Sequence, residues 1–223
     1  MTARVAEVRD RIALAAQRSG RNAGEVGIVG ATKTRTPEEI AELYETGAIA
    51  ALGENRIQEA LPKIEALSEI NPEWHFIGRL QSNKVRFLAT GGFSCVHSVD
   101  RASLVPKIAE RAPDVRVLVE VNMTGEASKA GSTPSGAESL CVAVIEAGLE
   151  LGGLMTMAPE GEPGRAQRCF SGLRELRDEL EVDLGIRLGD LSMGMTDDYE
   201  AAVTEGATLL RIGRGLFGPR ISG

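Results

Sequence analysis

The sequence predicts an α/β fold, a single (β/α)₈ TIM barrel with an extra N-terminal helix, spanning residues 1–223 as one domain. Three observations predict it. About eight short apolar runs alternate with longer amphipathic ones, each run short enough for a strand buried on both faces, as parallel sheets require. The length of 223 residues accommodates eight βα units. No linker, low-complexity tract or composition shift divides the chain.

From Met1 to Arg21, Val5, Val8, Ile12 and Ala15 or Ala16 recur at helical spacing. The strand runs that follow are Val26–Ala31, Ile49–Leu52, Trp74–Ile77, Ser94–Val99, Val115–Val121, Leu149–Met155, Asp190–Met193 and Thr208–Ile212. Thr36-Pro37-Glu38-Glu39 supplies an N-cap, a proline at the first helical position and a glutamate three residues on, the signature of a capping box. Thr133-Pro134 repeats the cap-plus-proline signal, and Phe170, Leu173, Leu176 and Leu180 mark one face of a helix. The alternative is an open doubly wound sheet, favoured by Gly213-Arg214-Gly215-Leu216-Phe217-Gly218, which spells G-x-G-x-x-G. Only five residues follow Gly218, too few for the helix, strand and acidic residue that a dinucleotide site needs.

Aromatic residues make up only 4%, so packing must rest on Ala, Val, Leu and Ile. The net charge of −7 repels nucleic acid and anionic membranes, although backbone N–H groups can still hold phosphate locally. No run approaches the roughly 18 apolar residues of a spanning helix, and none resembles the apolar core of a signal peptide. Cys95, Cys141 and Cys169 are odd in number and far apart, the pattern of reduced thiols in the cytoplasm.

Among the five lysines, Lys63, Lys84 and Lys107 read as solvated charges, and Lys129 lies in a polar loop after the fifth strand. Lys33 directly follows the first strand and precedes the helix capped at Thr36. That places it at the end of the barrel that carries sites. Partial desolvation there would favour the neutral amine that attacks an aldehyde; the alternative is a lysine snorkelling at the rim. At the other end of the chain, Leu191–Asp198 and Thr208–Gly215 follow strands seven and eight, where barrels often hold phosphate. The alternative is ordinary tight turns. No metal site is expected, because His75 and His97 stand 22 residues apart and no C-x-x-C occurs. Arg79, Lys84 and Arg86 read as a solvated basic face.

Taken in order, Ala31-Thr32-Lys33-Thr34, Leu52-Gly53-Glu54-Asn55, Trp74 through Lys84, Val121-Asn122 with Lys129 and Gly131, Leu191 through Met195, and Arg211-Ile212-Gly213 resemble the pyridoxal phosphate homeostasis protein family over nearly the whole chain. The resemblance implies a barrel like the N-terminal domain of alanine racemases, and pyridoxal 5′-phosphate held as an aldimine on Lys33. It implies phosphate contacts at Thr196, Gly213 and Arg214 beside Met193, with Arg211 facing the pyridine nitrogen and Asn55 and His75 lining the pocket. Three positions depart from the family pattern: Arg56 in place of Tyr, Thr196 in place of Ser, and Arg214 in place of Thr. The last leaves its backbone N–H for phosphate.

The function so implied is vitamin B6 homeostasis in the cytoplasm: a monomeric carrier or buffer, without robust turnover, that supplies apo-enzymes. The competing reading is a small racemase or decarboxylase. Racemases of this fold take a tyrosine base from an added domain, whereas Tyr44 and Tyr199 fall within predicted helices and the sequence given ends soon after the eighth strand.

Overall fold

A computed structural model describes residues 1–126 and 128–219. Eight parallel strands close into a barrel in chain order: β1 (Gly27–Ala31), β2 (Ala51–Glu54), β3 (Trp74–Phe76), β4 (Phe93–Val99), β5 (Arg116–Glu120), β6 (Leu151–Met155), β7 (Asp190–Ser192) and β8 (Leu209–Ile212). The closing pair sets Gly30 of β1 beside Ile212 of β8. The loops after these two strands are therefore neighbours, although about 180 residues separate them.

The helices are α1 (Thr2–Arg18), α2 (Pro37–Glu45), α3 (Ile57–Ala66), α4 (Phe87–Thr90), α5 (Val105–Arg111), α6 (Pro134–Glu146), α7 (Pro163–Leu184), α8 (Tyr199–Thr204) and α9 (Arg214–Phe217). Val5, Val8, Ile12, Ala15 and Ala16 of α1 are all buried, packed toward α8 and α9. Arg4 donates to the carbonyls of Leu216 and Phe217 at 3.2 and 3.1 Å, tying the extra helix to the end of the barrel. The capping box at α2 is complete: Thr36 Oγ1 accepts from the Glu39 N–H at 3.3 Å, and Glu39 Oε2 accepts from the Thr36 N–H at 3.0 Å. No described helix is long and apolar enough to cross a membrane.

Outward strand residues such as Ile28, Leu52, Trp74, Phe76, Val96, Val117, Leu191 and Leu210 form one continuous core with the helices. Period-two alternation turns the remaining strand residues into the barrel. There Cys95, Leu118 and Met155 make a small apolar plug against Leu209. β2 differs from its sequence-predicted span. It begins at Ala51, not Ile49, and continues through Gly53 and Glu54, which pair with His75 and Phe76 of β3. A charged residue ends an apolar run in sequence, but this glutamate is fully buried and has a partner of its own.

Candidate functional site

The end of β1 is held from below. Thr32 is fully buried: its N–H donates to the Gly53 carbonyl at 2.9 Å and its hydroxyl donates to Glu54 Oε1 at 2.7 Å. Its carbonyl accepts from Lys63 Nζ at 2.8 Å, and Lys63 also pairs with Glu54. Lys63 is thus no solvated charge, as its polar sequence context suggests. Its stem lies against β2 and its ammonium neutralises a buried carboxylate. The pair fixes the peptide that leads into Lys33. Lys33 itself is exposed, so the expected partial desolvation is not found. Unlike Lys63, Lys33 has no hydrogen-bond or ion-pair partner among the described residues. Thr34 follows at φ 63°, a left-handed turn that swings the chain away toward α2.

The loop after β8 adjoins this rim: a Cβ on Gly213 would lie 3.4 Å from the Ala31 carbonyl oxygen. Neither the Gly213 nor the Arg214 N–H has an acceptor among the described residues. The Gly215 N–H donates to Thr196 Oγ1 at 3.3 Å, joining this loop to the one after β7 and leaving the Thr196 hydroxyl proton to donate elsewhere. That second loop needs glycine at 194, where φ is 93° and a Cβ would come within 2.5 Å of Ala202 Cβ. The Arg214 side chain points to solvent and pairs with Asp197.

Arg211 occupies the barrel interior, 5% exposed. It donates through Nη1 to Ser192 Oγ at 2.6 Å and through Nη2 to the Thr156 carbonyl at 2.9 Å. Burial pushes it down to about 10, with Glu120 and Asp198 acting the other way, so it stays charged near neutrality. Ser192 also meets His97 Nδ1 at 2.8 Å, and His97 Nε2 meets His75 Nδ1 at 2.9 Å. The resemblance sets His75 in the cofactor pocket. The structure places its ring inside the barrel, reaching Arg211 only through His97 and Ser192. Residues too distant in sequence to suggest a metal site are brought together by β3 and β4, where His75 and Cys95 are in register. Ligand atoms of His75, Cys95 and His97 lie within 4.8 Å of one another.

Asn55 is half-buried just past β2, its backbone so close to Gly78 that a Cβ there would meet the Asn55 carbonyl oxygen at 2.1 Å. The Met193 side chain is fully buried in the core shared with the helices, and its N–H donates to the Leu209 carbonyl at 3.1 Å. Two open clefts of about 510 and 390 Å³ flank the rim after β3, lined by Arg79 and Gln81 among others; Lys33 lines neither.

Glu120, at the end of β5, escaped the sequence reading because it ends an apolar run like any strand-terminal charge. It is 5% exposed, and burial, reinforced by Asp100 and opposed by Arg211 and Arg79, raises it from 4.5 to about 7. A raised carboxyl contributes its stability in full below pH ~4.5 and loses it as pH rises through about 7. Glu120→Gln is therefore expected to stabilise the fold at pH 8 by up to ~3 kcal/mol, and by nearly nothing at pH 4.5. Urea unfolding at both pH values checks this; an equal effect at the two would contradict it.

No family model matches the chain. A relative in Aquifex aeolicus is 44% identical, covering 97% of each chain, and one in Pseudomonas aeruginosa is 42% identical, covering 97% of this chain and 94% of the other; both are named pyridoxal phosphate homeostasis protein. The structure of PipY from Synechococcus elongatus with PLP bound is 32% identical, with a TM-score of 0.81 over 95% of this chain and 100% of that one. A lysine decarboxylase from Selenomonas ruminantium shares the barrel fold alone, at 20% identity and a TM-score of 0.69. With full-length identities of this size alongside the closed parallel barrel, the chain belongs to the pyridoxal phosphate homeostasis protein family.

Proposed function

We propose that this protein binds pyridoxal 5′-phosphate at the end of the barrel where β1 and β8 adjoin, with Lys33 as attachment point, and serves vitamin B6 homeostasis. The observation that carries the reading is the convergence at that rim of three complementary groups. These are an unpartnered lysine, two unpaired N–H groups at Gly213 and Arg214, and a buried arginine on the adjoining strand. When bound, the cofactor supplies an aldehyde that an amine attacks and a pyridine ring that stores electrons. Thr196 and the Gly213–Gly215 loop hold the phosphate, Asn55 borders the ring, and Arg211 faces the pyridine nitrogen.

Arginine carries permanent charge and only donates hydrogen bonds, so it disfavours a proton on that nitrogen. Two of its N–H groups are already committed to Ser192 and the Thr156 carbonyl, which fixes its orientation. A ring without that proton stores electrons poorly, while exchange at Lys33 stays open. This favours a carrier or buffer over a racemase or decarboxylase. Tyr199 is 4% exposed on α8, with the Arg11 guanidinium of α1 over its ring. In this reading the protein is a cytoplasmic monomer that passes the cofactor to apo-enzymes. The test is to incubate loaded protein with an apo-decarboxylase and follow its reactivation, with light scattering for the oligomeric state. Reactivation no faster than by free cofactor at equal concentration, or amino-acid turnover by the protein itself, would contradict it.

Because the Arg214 side chain pairs with Asp197 at the surface, its contribution to phosphate binding comes from the backbone. Arg214→Thr is expected to change the dissociation constant by less than ~3-fold, the range of a surface substitution. Fluorescence titration measures it, and a loss of ~30-fold would place the guanidinium on the phosphate.

A further inference from the structure

A hydrogen-bonded chain crosses the barrel interior from its N-terminal face to Arg211. It starts at Glu73, just before β3, whose side chain is 54% exposed and whose Oε1 lies 3.1 Å from His75 Nε2. It continues from His75 Nδ1 to His97 Nε2 at 2.9 Å, from His97 Nδ1 to Ser192 Oγ at 2.8 Å, and ends with Arg211 Nη1 donating to Ser192 at 2.6 Å. His97 and Ser192 are almost wholly enclosed, at 0% exposure each. Within such a site each contact must hold one proton, because an unpaired buried group costs its full desolvation.

The Glu73 end sets the direction, and the Arg211 end is compatible with it. A carboxylate only accepts and a guanidinium only donates. Glu73 therefore demands a proton on His75 Nε2, and a neutral His75 then accepts at Nδ1 from His97 Nε2–H. That leaves His97 Nδ1 bare to accept from the Ser192 hydroxyl, and Ser192 with its lone pairs toward Arg211. In the reverse assignment His75 Nε2 would face Glu73 without a proton, and Ser192 would accept from both His97 and Arg211, leaving its own proton without a partner in the chain. Burial, followed by the nearby His75 and Arg211, holds His97 well below its usual range, so it stays neutral and the chain keeps one direction.

We propose that His97 is a positioning residue for Arg211, its tautomer set by Glu73 on the opposite face of the barrel, so that His97 holds the Ser192 hydroxyl proton and the lone pairs are left to the guanidinium. The proposal rests on the reading of Arg211 as the group facing the pyridine nitrogen, but its first two tests need no cofactor. In full-length protein labelled with ¹⁵N-histidine, His97 is expected as the Nε2–H tautomer with Nδ1 bare; a predominant Nδ1–H form overturns the proposal. Glu73→Lys exchanges an acceptor for a donor at an exposed position. It is expected to shift His97 toward the Nδ1–H form and to move the Arg211 side-chain N–H signal. An unchanged His97 tautomer shows that Glu73 does not set the direction.

The third test adds pyridoxal 5′-phosphate. In His97→Gln the amide oxygen can accept from Ser192 and the amide nitrogen can donate to His75, so affinity and the visible spectrum of the bound cofactor should stay within ~2-fold and a few nanometres of wild type. His97→Leu breaks both contacts and is expected to weaken affinity by ~10-fold, the scale seen when a supporting shell is lost. Equal affinity and equal spectra for the two variants overturn the positioning role. If the cofactor binds none of the proteins while the tautomer results hold, the functional reading fails and the chain through the barrel stands.

Discussion

Replacing Lys33 with alanine is expected to abolish the visible absorption band that wild-type protein shows with pyridoxal phosphate. The alternatives at the same rim are few. Lys63 is held by Glu54 and the Thr32 carbonyl, and moving its ammonium would strand a fully buried carboxylate. Lys107 is exposed on α5, on the outer ring of helices. Lys84, half-buried after β3 with its ammonium over the Phe87 ring, and Lys129, exposed in the loop after β5, are the competitors on the same barrel face. The substitution itself should cost little stability, within ~0.5 kcal/mol, because Lys33 is exposed and has no partner to lose. Loss of the band thus reports on attachment, and an unchanged thermal midpoint excludes unfolding as its cause. A full band in the variant would transfer the assignment to Lys84 or Lys129.

Removing the phosphate from the ligand should have the second largest effect. In the proposed site the anion receives hydrogen bonds from the Gly213 and Arg214 N–H groups and the Thr196 hydroxyl, none of which has another acceptor in the described structure. Hydrogen bonds to a charged group contribute ~1.5–3 kcal/mol each, and desolvation of the phosphate offsets part of their sum. A net of about 3 kcal/mol corresponds to pyridoxal binding ~100-fold more weakly than pyridoxal phosphate. Fluorescence titration of both vitamers at fixed ionic strength measures this. Comparable dissociation constants would show that these loops are turns and nothing more.

Much of the barrel is legible in sequence because each strand is a short apolar run and the βα alternation admits few topologies. All eight expected runs lie within two residues of the observed strands at both ends; β2 alone is shifted by two at each end, because the run rule stops before Glu54. The loops that carry Lys33, Thr196 and Gly213 are legible as segments after strands, while the roles given to Thr196 and Gly213 come from the family resemblance. The barrel interior was not. Ser192 and His97 are 95 positions apart, and His97 and His75 are 22 apart, so only closure of the sheet makes them partners. Lys63 and Glu54 are nine residues apart on a helix and a strand, and their polar sequence context conceals that both are buried. Burial likewise separates Glu120 from ordinary strand-end carboxylates, and no local pattern encodes it.

The central claim, attachment at Lys33, is tested most directly by reducing the wild-type complex with borohydride and mapping its peptides. A single modified peptide carrying Lys33, at close to one equivalent per chain and absent when the phosphate-free vitamer is used at the same low concentration, is the predicted result. Modification at Lys129 or another lysine, or label spread over several surface lysines in proportion to their exposure, would contradict it.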